Sequence, residues 1–231
     1  MAAGMGTRFG EMTSTKPKGF IEVAGKPMII RSIENLLACG IKKIIIGTGY
    51  HSEYYEKLES IYPEVICHKS EVYATTNSMY TLYNCRELIS NDFLLLESDL
   101  IYEKRAIEAL IDSKYENIML AAEDSEIQEF AIDVTDAGML KELTYNNRDK
   151  MTNIYAEFVG IHKISYQSYL EVNSIFEKNL DKKPKQGYEF VLVEAYEKYP
   201  CYVLKLDGLF WYEIDNLEEL KIAEDSVVDF L

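Results

Sequence analysis

Cysteine is sparse and unpaired in this chain. Cys39, Cys67, Cys85 and Cys201 are scattered along 231 residues with no CxxC spacing. Neither a disulfide framework nor a thiolate zinc site is expected, and reduced thiols suit a cytoplasmic protein. No apolar run approaches the ~20 residues of a membrane-spanning helix, and no secretory signal is recognisable ahead of the first motif. Cationic charge is also short, 24 Lys and Arg against 39 Asp and Glu, a formal net charge of −15. A field of that sign repels phosphate backbones and anionic lipid, which argues against nucleic-acid or membrane partners. Only three histidines occur, His51, His68 and His162, none in a recognisable triad. Each is expected at the surface or in packing. Internal repeats and low-complexity tracts are missing as well.

What remains is an ordinary globular composition, 48% apolar and 27% charged. A chain of this size buries roughly 70–75% of its unfolded surface on folding, enough for a core without staples. One domain spanning residues 1–231 is expected. Ile29, Ile30, Ile33, Leu36 and Leu37 recur at helical spacing between Pro27, suited to a first turn, and Gly40, suited to a stop. "KKIIIGTG" and "EVICHKS" read as strands, "SEYYEKLESIY" and "TTNSMYTLYNCRELI" as helices, and "DFLLLESD" as a strand buried on both faces. This alternation predicts an α/β fold, a Rossmann-like, mostly parallel sheet flanked by helices. Over about 113–165, "NIMLAAE", "EFAIDVTD", "MLKELTYN" and "YAEFVGIHKIS" follow closely, with "TDAG" as a hairpin turn. They predict a small antiparallel extension beside the main sheet. Helices over about 166–179 and 188–198, separated by the polar "DKKPKQG", precede "CYVLKLD", "FWYEID" and a last helix from about Leu217.

The opening "AAGMGTRFGEMTSTKPKG" is flexible and cationic within an acidic protein. A glycine-rich loop leaves backbone N–H groups free to converge on phosphate oxygens. Arg8 offers a forked grip on an anion and Lys18 a compact charge. Taken over nearly thirty residues, "AAGMGTR…MT…KPKGFIEVAGKPMI" resembles the signature of the nucleoside-triphosphate transferase superfamily. The resemblance implies a loop, Ala2, Ala3, Gly4, Met5, Gly6, Thr7 and Arg8, that holds a triphosphate, with Lys18 at the reacting α-phosphate. In such proteins the loop follows a buried strand, and Met1 stands where that strand would end. A missing first strand, or another segment in its place, is therefore expected.

Asp99 ends "DFLLLESD" and Asp215 ends "FWYEID". A residue at the carboxyl end of a strand in an open α/β sheet points into the ligand crevice. The resemblance implies that both bind Mg²⁺, which takes few protein carboxylates and completes its shell with water and phosphate oxygens. Asp215 equally suits capping of the helix that follows. "TTNSMYTLY" and "WYEIDNLEELKIAED" are similar to segments of compact phosphocholine and phosphonate cytidylyltransferases. The implied partners are CTP and a small phosphonate or phosphate acceptor, 2-aminoethylphosphonate ahead of phosphocholine. Asn77 and Ser78 are candidates for the nucleotide side, with helix capping as their alternative role. A primary ammonium on the acceptor wants carboxylates, for which Glu157 and Glu189 are candidates. A quaternary one wants aromatic faces, for which Tyr188, Phe210, Trp211 and Tyr212 are available. The competing readings are a sugar-1-phosphate nucleotidyltransferase and a nucleotide-binding domain without turnover. A homo-oligomer or a fused partner domain is compatible with all of them. A dinucleotide-binding oxidoreductase is disfavoured, because the strand and ribose-binding acid of its fingerprint are not in place.

Overall fold

The computed structural model describes residues 1–124, 130–180 and 184–227. After a 3₁₀ turn over Thr7–Thr13, a small hairpin of β1 (Glu22–Val23) and β2 (Lys26–Pro27) leads into α1 (Met28–Ala38). Ile29, Ile33 and Leu36 form the buried stripe of α1. There follow β3 (Ile44–Thr48), α2 (Ser52–Glu56), β4 (Val65–Lys69), α3 (Ser78–Asn84) and β5 (Phe93–Leu96). Next come β6 (Leu100–Tyr102) and α4 (Arg105–Asp112), which the sequence reading did not name, although Ala106, Ile107 and Leu110 of α4 recur at helical spacing.

The second half holds β7 (Ile118–Ala122), β8 (Phe130–Val134), β9 (Leu140–Tyr145) and β10 (Ala156–Ile164). Helices α5 (Tyr166–Asn179) and α6 (Tyr188–Tyr196) follow, then β11 (Tyr202–Lys205), β12 (Trp211–Glu213) and α7 (Leu217–Val227). Part of the polar segment between α5 and α6, residues 181–183, lies outside the described residues, as does the start of the "EFAIDVTD" strand.

The architecture is α/β, as expected, with a mixed sheet. β3 and β4 run parallel, as do β7 and β11, whereas β10 is antiparallel to β5, β7 and β8. The strands over about 113–165 are not all an extension. β7 and β10 lie in the middle of the six-stranded sheet, and only β8 and β9 reach out beyond β10. The chemistry of β10 explains this. Its C-terminal half pairs with β5 and its N-terminal end with β8, with a register shift between Phe158 and His162. Gly160 sits within that shift at φ +81°, a left-handed conformation that side chains disfavour. The resulting bulge bends one strand so that it serves two neighbours.

Helices cover both faces. α3, α5 and α6 bury Leu82, Val172, Phe176 and Leu192 against one side, and α1 and α4 bury Ile33, Leu36, Ile107 and Leu110 against the other. A third cluster joins Phe9, Ile21, Met28 and Phe210 to α7.

Met1 and Ala2 lie between β3 and β5. The Ala2 amide donates to the Gly47 carbonyl at 2.8 Å, and the Met1 ammonium donates to the Leu96 carbonyl at 2.6 Å. Ala2 and Thr48 form a parallel bridge. Among the described residues, no other strand pairs with the facing edges of β3 and β5.

Candidate active site

The Ala2–Arg8 loop leaves the Met1–Ala2 seat and turns at Gly6, whose φ of +60° and ψ of +32° are left-handed. A Cβ there would come within 3.0 Å of the Thr13 methyl group. Thr13, itself buried, donates its hydroxyl to the Gly6 carbonyl at 2.8 Å and fixes the turn. Gly4 differs, because a side chain there would meet nothing within 4 Å. Its bareness leaves backbone facing a cavity of about 580 Å³, a size that suits a small ligand.

The opposite wall is acidic. Within "ESD" and "EID", Glu97 and Asp99, and Glu213 and Asp215, stand two positions apart, which puts each pair on one side of an extended chain. β12 pairs antiparallel with β6, setting Glu213 opposite Leu100, and the Ile214 amide donates to the Asp99 carbonyl at 3.0 Å. The two strand ends are thereby held side by side. Lys18 reaches across them: its ammonium contacts Asp99 at 2.5 Å and also contacts Asp215. Arg8 pairs with the other oxygen of Asp215 at 2.7 Å. Burial alone would lower the Lys18 pKa, but Asp99 and Asp215 overcome it and hold the amine firmly protonated.

Ligand oxygens of Glu97, Asp99 and Glu213 lie within 4.8 Å of one another. Asp99 Oδ1 is buried without a hydrogen-bond partner. A buried, unpaired carboxylate oxygen beside two further carboxylates fits a hard divalent cation. Of the two aspartates named from sequence, Asp99 belongs to this trio, while Asp215 is engaged by both cations.

Farther along the cavity, α3 and α6 meet through their N-termini. Asn77 caps α3 by accepting from the Ser78 amide at 2.8 Å, and its side-chain amide donates to the Lys185 carbonyl at 3.3 Å. Ser78 Oγ accepts from the Tyr188 amide at 3.1 Å, which places the first residue of α6. The Tyr188 hydroxyl donates to Glu97 at 2.7 Å. Burial, followed by the neighbouring Glu213, Asp99 and Glu189, raises the Glu97 pKa well above the usual carboxylate range. Burial likewise pushes Glu189 up to about 7.

Lys18, Arg8, Asp99, Asp215, Asn77, Ser78, Tyr188 and Glu189 all border this one cavity, as does the loop apart from Met5, whose side chain is exposed. Glu157 does not. It lies on β10, 1% exposed, and pairs with the half-buried Arg148 at 3.4 Å, since an inward-facing carboxylate on a central strand needs a cationic partner. Phe210, Trp211 and Tyr212 are also outside the lining, and Phe210 packs instead in the cluster beneath α7. Sequence reasoning missed Glu97 and Glu213, although the repeated E-x-D ending of both strands was the available signal. It also missed Phe130, Tyr145 and Phe190, which stand together at the cavity, with ring centroids 4.8 Å apart for Phe130–Tyr145 and 6.3 Å for Phe130–Phe190.

A glycine loop facing paired acid strands across two fixed cations, on this α/β sheet, defines a nucleotidyltransferase. The chain belongs to the MobA-like NTP transferase domain family, whose profile matches residues 1–158. It is 25% identical over 235 residues to a choline-phosphate cytidylyltransferase of Streptococcus pneumoniae, covering 97% of this chain and 95% of that one. It is 34% identical over 102 residues to a 2-aminoethylphosphonate cytidylyltransferase of Lancefieldella rimae, covering 44% of this chain and 42% of that protein. Its fold matches the solved CTP:phosphocholine cytidylyltransferase of S. pneumoniae with a TM-score of 0.79 at 22% identity, covering 97% and 95% of the two chains. An inositol-1-phosphate CTP transferase from T. maritima superposes with a TM-score of 0.81 at 16% identity, covering 96% and 91%. Nucleotidyltransferases of this family generally use a divalent metal.

Proposed function

We propose that this protein transfers CMP from CTP to a small acceptor carrying an anionic phosphoryl or phosphonyl end and an ammonium end, with 2-aminoethylphosphonate as the preferred acceptor. One observation carries the reading. Lys18 bridges Asp99 and Asp215 at the centre of a cavity with the Gly4–Arg8 loop on one side and Glu97, Tyr188 and Glu189 on the other. The loop amides and Arg8 suit the triphosphate. Lys18 sits where charge on a transferring phosphoryl group would be offset. The ammonium of the acceptor suits the carboxylate of Glu189 and the hydrogen-bond acceptors around it.

In the reaction, an ionised acceptor oxygen attacks the α-phosphorus of CTP. A new P–O bond forms as the α–β bridging P–O bond breaks, and pyrophosphate departs with that bond's electron pair. The acceptor oxygen is already charged at neutral pH, so no side chain must remove a proton. Glu97, Asp99 and Glu213 would hold Mg²⁺, with Asp215 alongside them. The ion supplies charge neutralisation on phosphate oxygens.

Phosphocholine is the second reading. It is favoured by Phe130, Tyr145 and Phe190 on the cavity, since aromatic faces suit a quaternary ammonium, and by the near full-length match to a choline-phosphate cytidylyltransferase. Pyrophosphate release over four NTPs and a small acceptor panel tests both. Turnover of CTP with aminoethylphosphonate above phosphocholine is expected. Turnover of a hexose 1-phosphate with UTP or dTTP, or CTP binding without any turnover, would overturn the proposal.

A further inference from the structure

Lys18 stands on a single 3₁₀ turn, Lys18–Phe20, between the extended residues Pro17 and Ile21. So short a turn carries little stability of its own, and a lysine ammonium hangs on a long flexible stem. Where that amine reaches is fixed by what the turn packs against, and that is α2. The Tyr54 hydroxyl donates to the Thr15 carbonyl at 2.8 Å, and His51 Nε2 lies 3.2 Å from the Ser14 carbonyl. The Phe20 ring packs edge-on against both Tyr54 and Tyr55, with centroids 5.4 and 5.2 Å away. Deepest of these is Tyr55, 1% exposed, whose hydroxyl is hydrogen-bonded with the Ser98 side chain and the Gly19 backbone. The fit is close. A Cβ on Gly19 would come within 2.8 Å of that hydroxyl and 3.2 Å of the Ser98 carbonyl.

Gly19 follows Lys18, and Ser98 precedes Asp99. One buried hydroxyl thus ties together the two backbones whose side chains form the Lys18–Asp99 pair. We propose that Tyr55 is a positioning residue for Lys18: its hydroxyl sets the separation of these two chains and, through it, the place of the amine in the cavity. That the placed amine speeds phosphoryl transfer rests on the reaction proposed above. Tyr55 borders the cavity, but its near-complete burial leaves it no face for a ligand, so it acts through its neighbours. The hydroxyl is separable from the ring. A phenylalanine at this position keeps the surface on which Phe20 packs and removes only the link.

The test acylates the lysines of the ligand-free protein with N-hydroxysuccinimidyl acetate and follows Lys18 against Lys198 by peptide mass spectrometry. Lys18 is 12% exposed and bonded to two carboxylates, whereas Lys198, beyond the end of α6, is 62% exposed. Tyr55→Phe is expected to label Lys18 at least ~5-fold faster with Lys198 unchanged, and Ser98→Ala to do likewise. Because both substitutions cut one link, the double variant should fall well short of the product of the two effects. With CTP and acceptor, Tyr55→Phe should lower kcat about 10-fold and leave the KM for CTP within about twofold. Unchanged labelling of Lys18, or equal acceleration of Lys18 and Lys198, overturns the proposal, as does a raised KM with kcat untouched. Faster labelling of Lys18 alone, in a protein whose wild type turns over no CTP, would support the positioning and remove the proposed reaction instead.

Discussion

The two ends of the large cavity differ in both charge and construction. At the loop end, Arg8 and Lys18 and the bare backbone around Gly4 suit an anion, and the two cations are ion-paired to Asp99 and Asp215. At the α6 end, Glu97, Tyr188 and Glu189 crowd carboxyl and hydroxyl groups into a largely buried corner, and among the described residues no lysine or arginine is hydrogen-bonded to Glu97. The first end is neutralised by ion pairs before any ligand arrives. At the second, burial penalises the charge of both carboxyls and raises their pKa values. The difference teaches how a strongly acidic protein can bind a molecule with opposite charges at its two ends. In the proposed reading, the local cations serve the phosphate and Glu189 serves the ammonium.

The comparison breaks most completely at its shared centre. Asp99→Asn removes the carboxylate common to Lys18 and the acid trio, and turnover is expected to fall by about 10³-fold or more together with its response to divalent ions. Pyrophosphate release against Mg²⁺ concentration measures this, and near-normal rates would remove Asp99 from the site. Lys18→Ala is expected to lower kcat by about 10²–10³-fold with a smaller change in KM, since its charge acts on the transferring group. Glu189→Gln sharpens the contrast between the ends. The acceptor KM should rise about 10-fold while the KM for CTP stays within about twofold, and an equal rise in both would erase the division.

A smaller effect appears in the pH dependence of stability. Burial holds the Glu189 proton up to about pH 7, above its ordinary value of 4.5. The folded state therefore binds a proton that the unfolded chain has already released, and this contribution is full below about pH 4.5 and lost as pH rises through about 7. Thermal midpoints across pH 4.5–8 should show wild type falling relative to Glu189→Gln, and a parallel pair of curves would contradict the assignment. Smallest is Gly6→Ala. Its left-handed backbone and the 3.0 Å approach to Thr13 should cost about 1 kcal/mol or slightly more, measured by denaturant unfolding.

Much of this was legible in the sequence where one residue type had one local task. The α1 stripe, the aliphatic β3 and β5, and the boundaries of α5 follow from spacing and capping, and the Asn77 cap was anticipated as the alternative to a nucleotide-side contact. Arg8, Lys18, Asp99 and Asp215 converge as the loop and strand-end logic requires. What remained hidden depends on pairing across long separations. β10 gives no local sign that it joins β5, β7 and β8, because the Gly160 bulge matters only once three partners surround it. Glu157 looked like a ligand for an ammonium because an isolated carboxylate in a strand carries no mark of its partner, here Arg148. Glu97 and Glu213 were passed over because each was read singly, and only the β6–β12 pairing sets the two E-x-D endings together.

The most direct measurement compares CTP turnover with 2-aminoethylphosphonate and with ethylphosphonate, which lacks only the amine, in wild type and in Glu189→Gln. The proposed division predicts a kcat/KM at least about 10-fold higher for the amine-bearing acceptor, shrinking towards equality in the variant. Equal turnover of the two acceptors by the wild-type protein would contradict it.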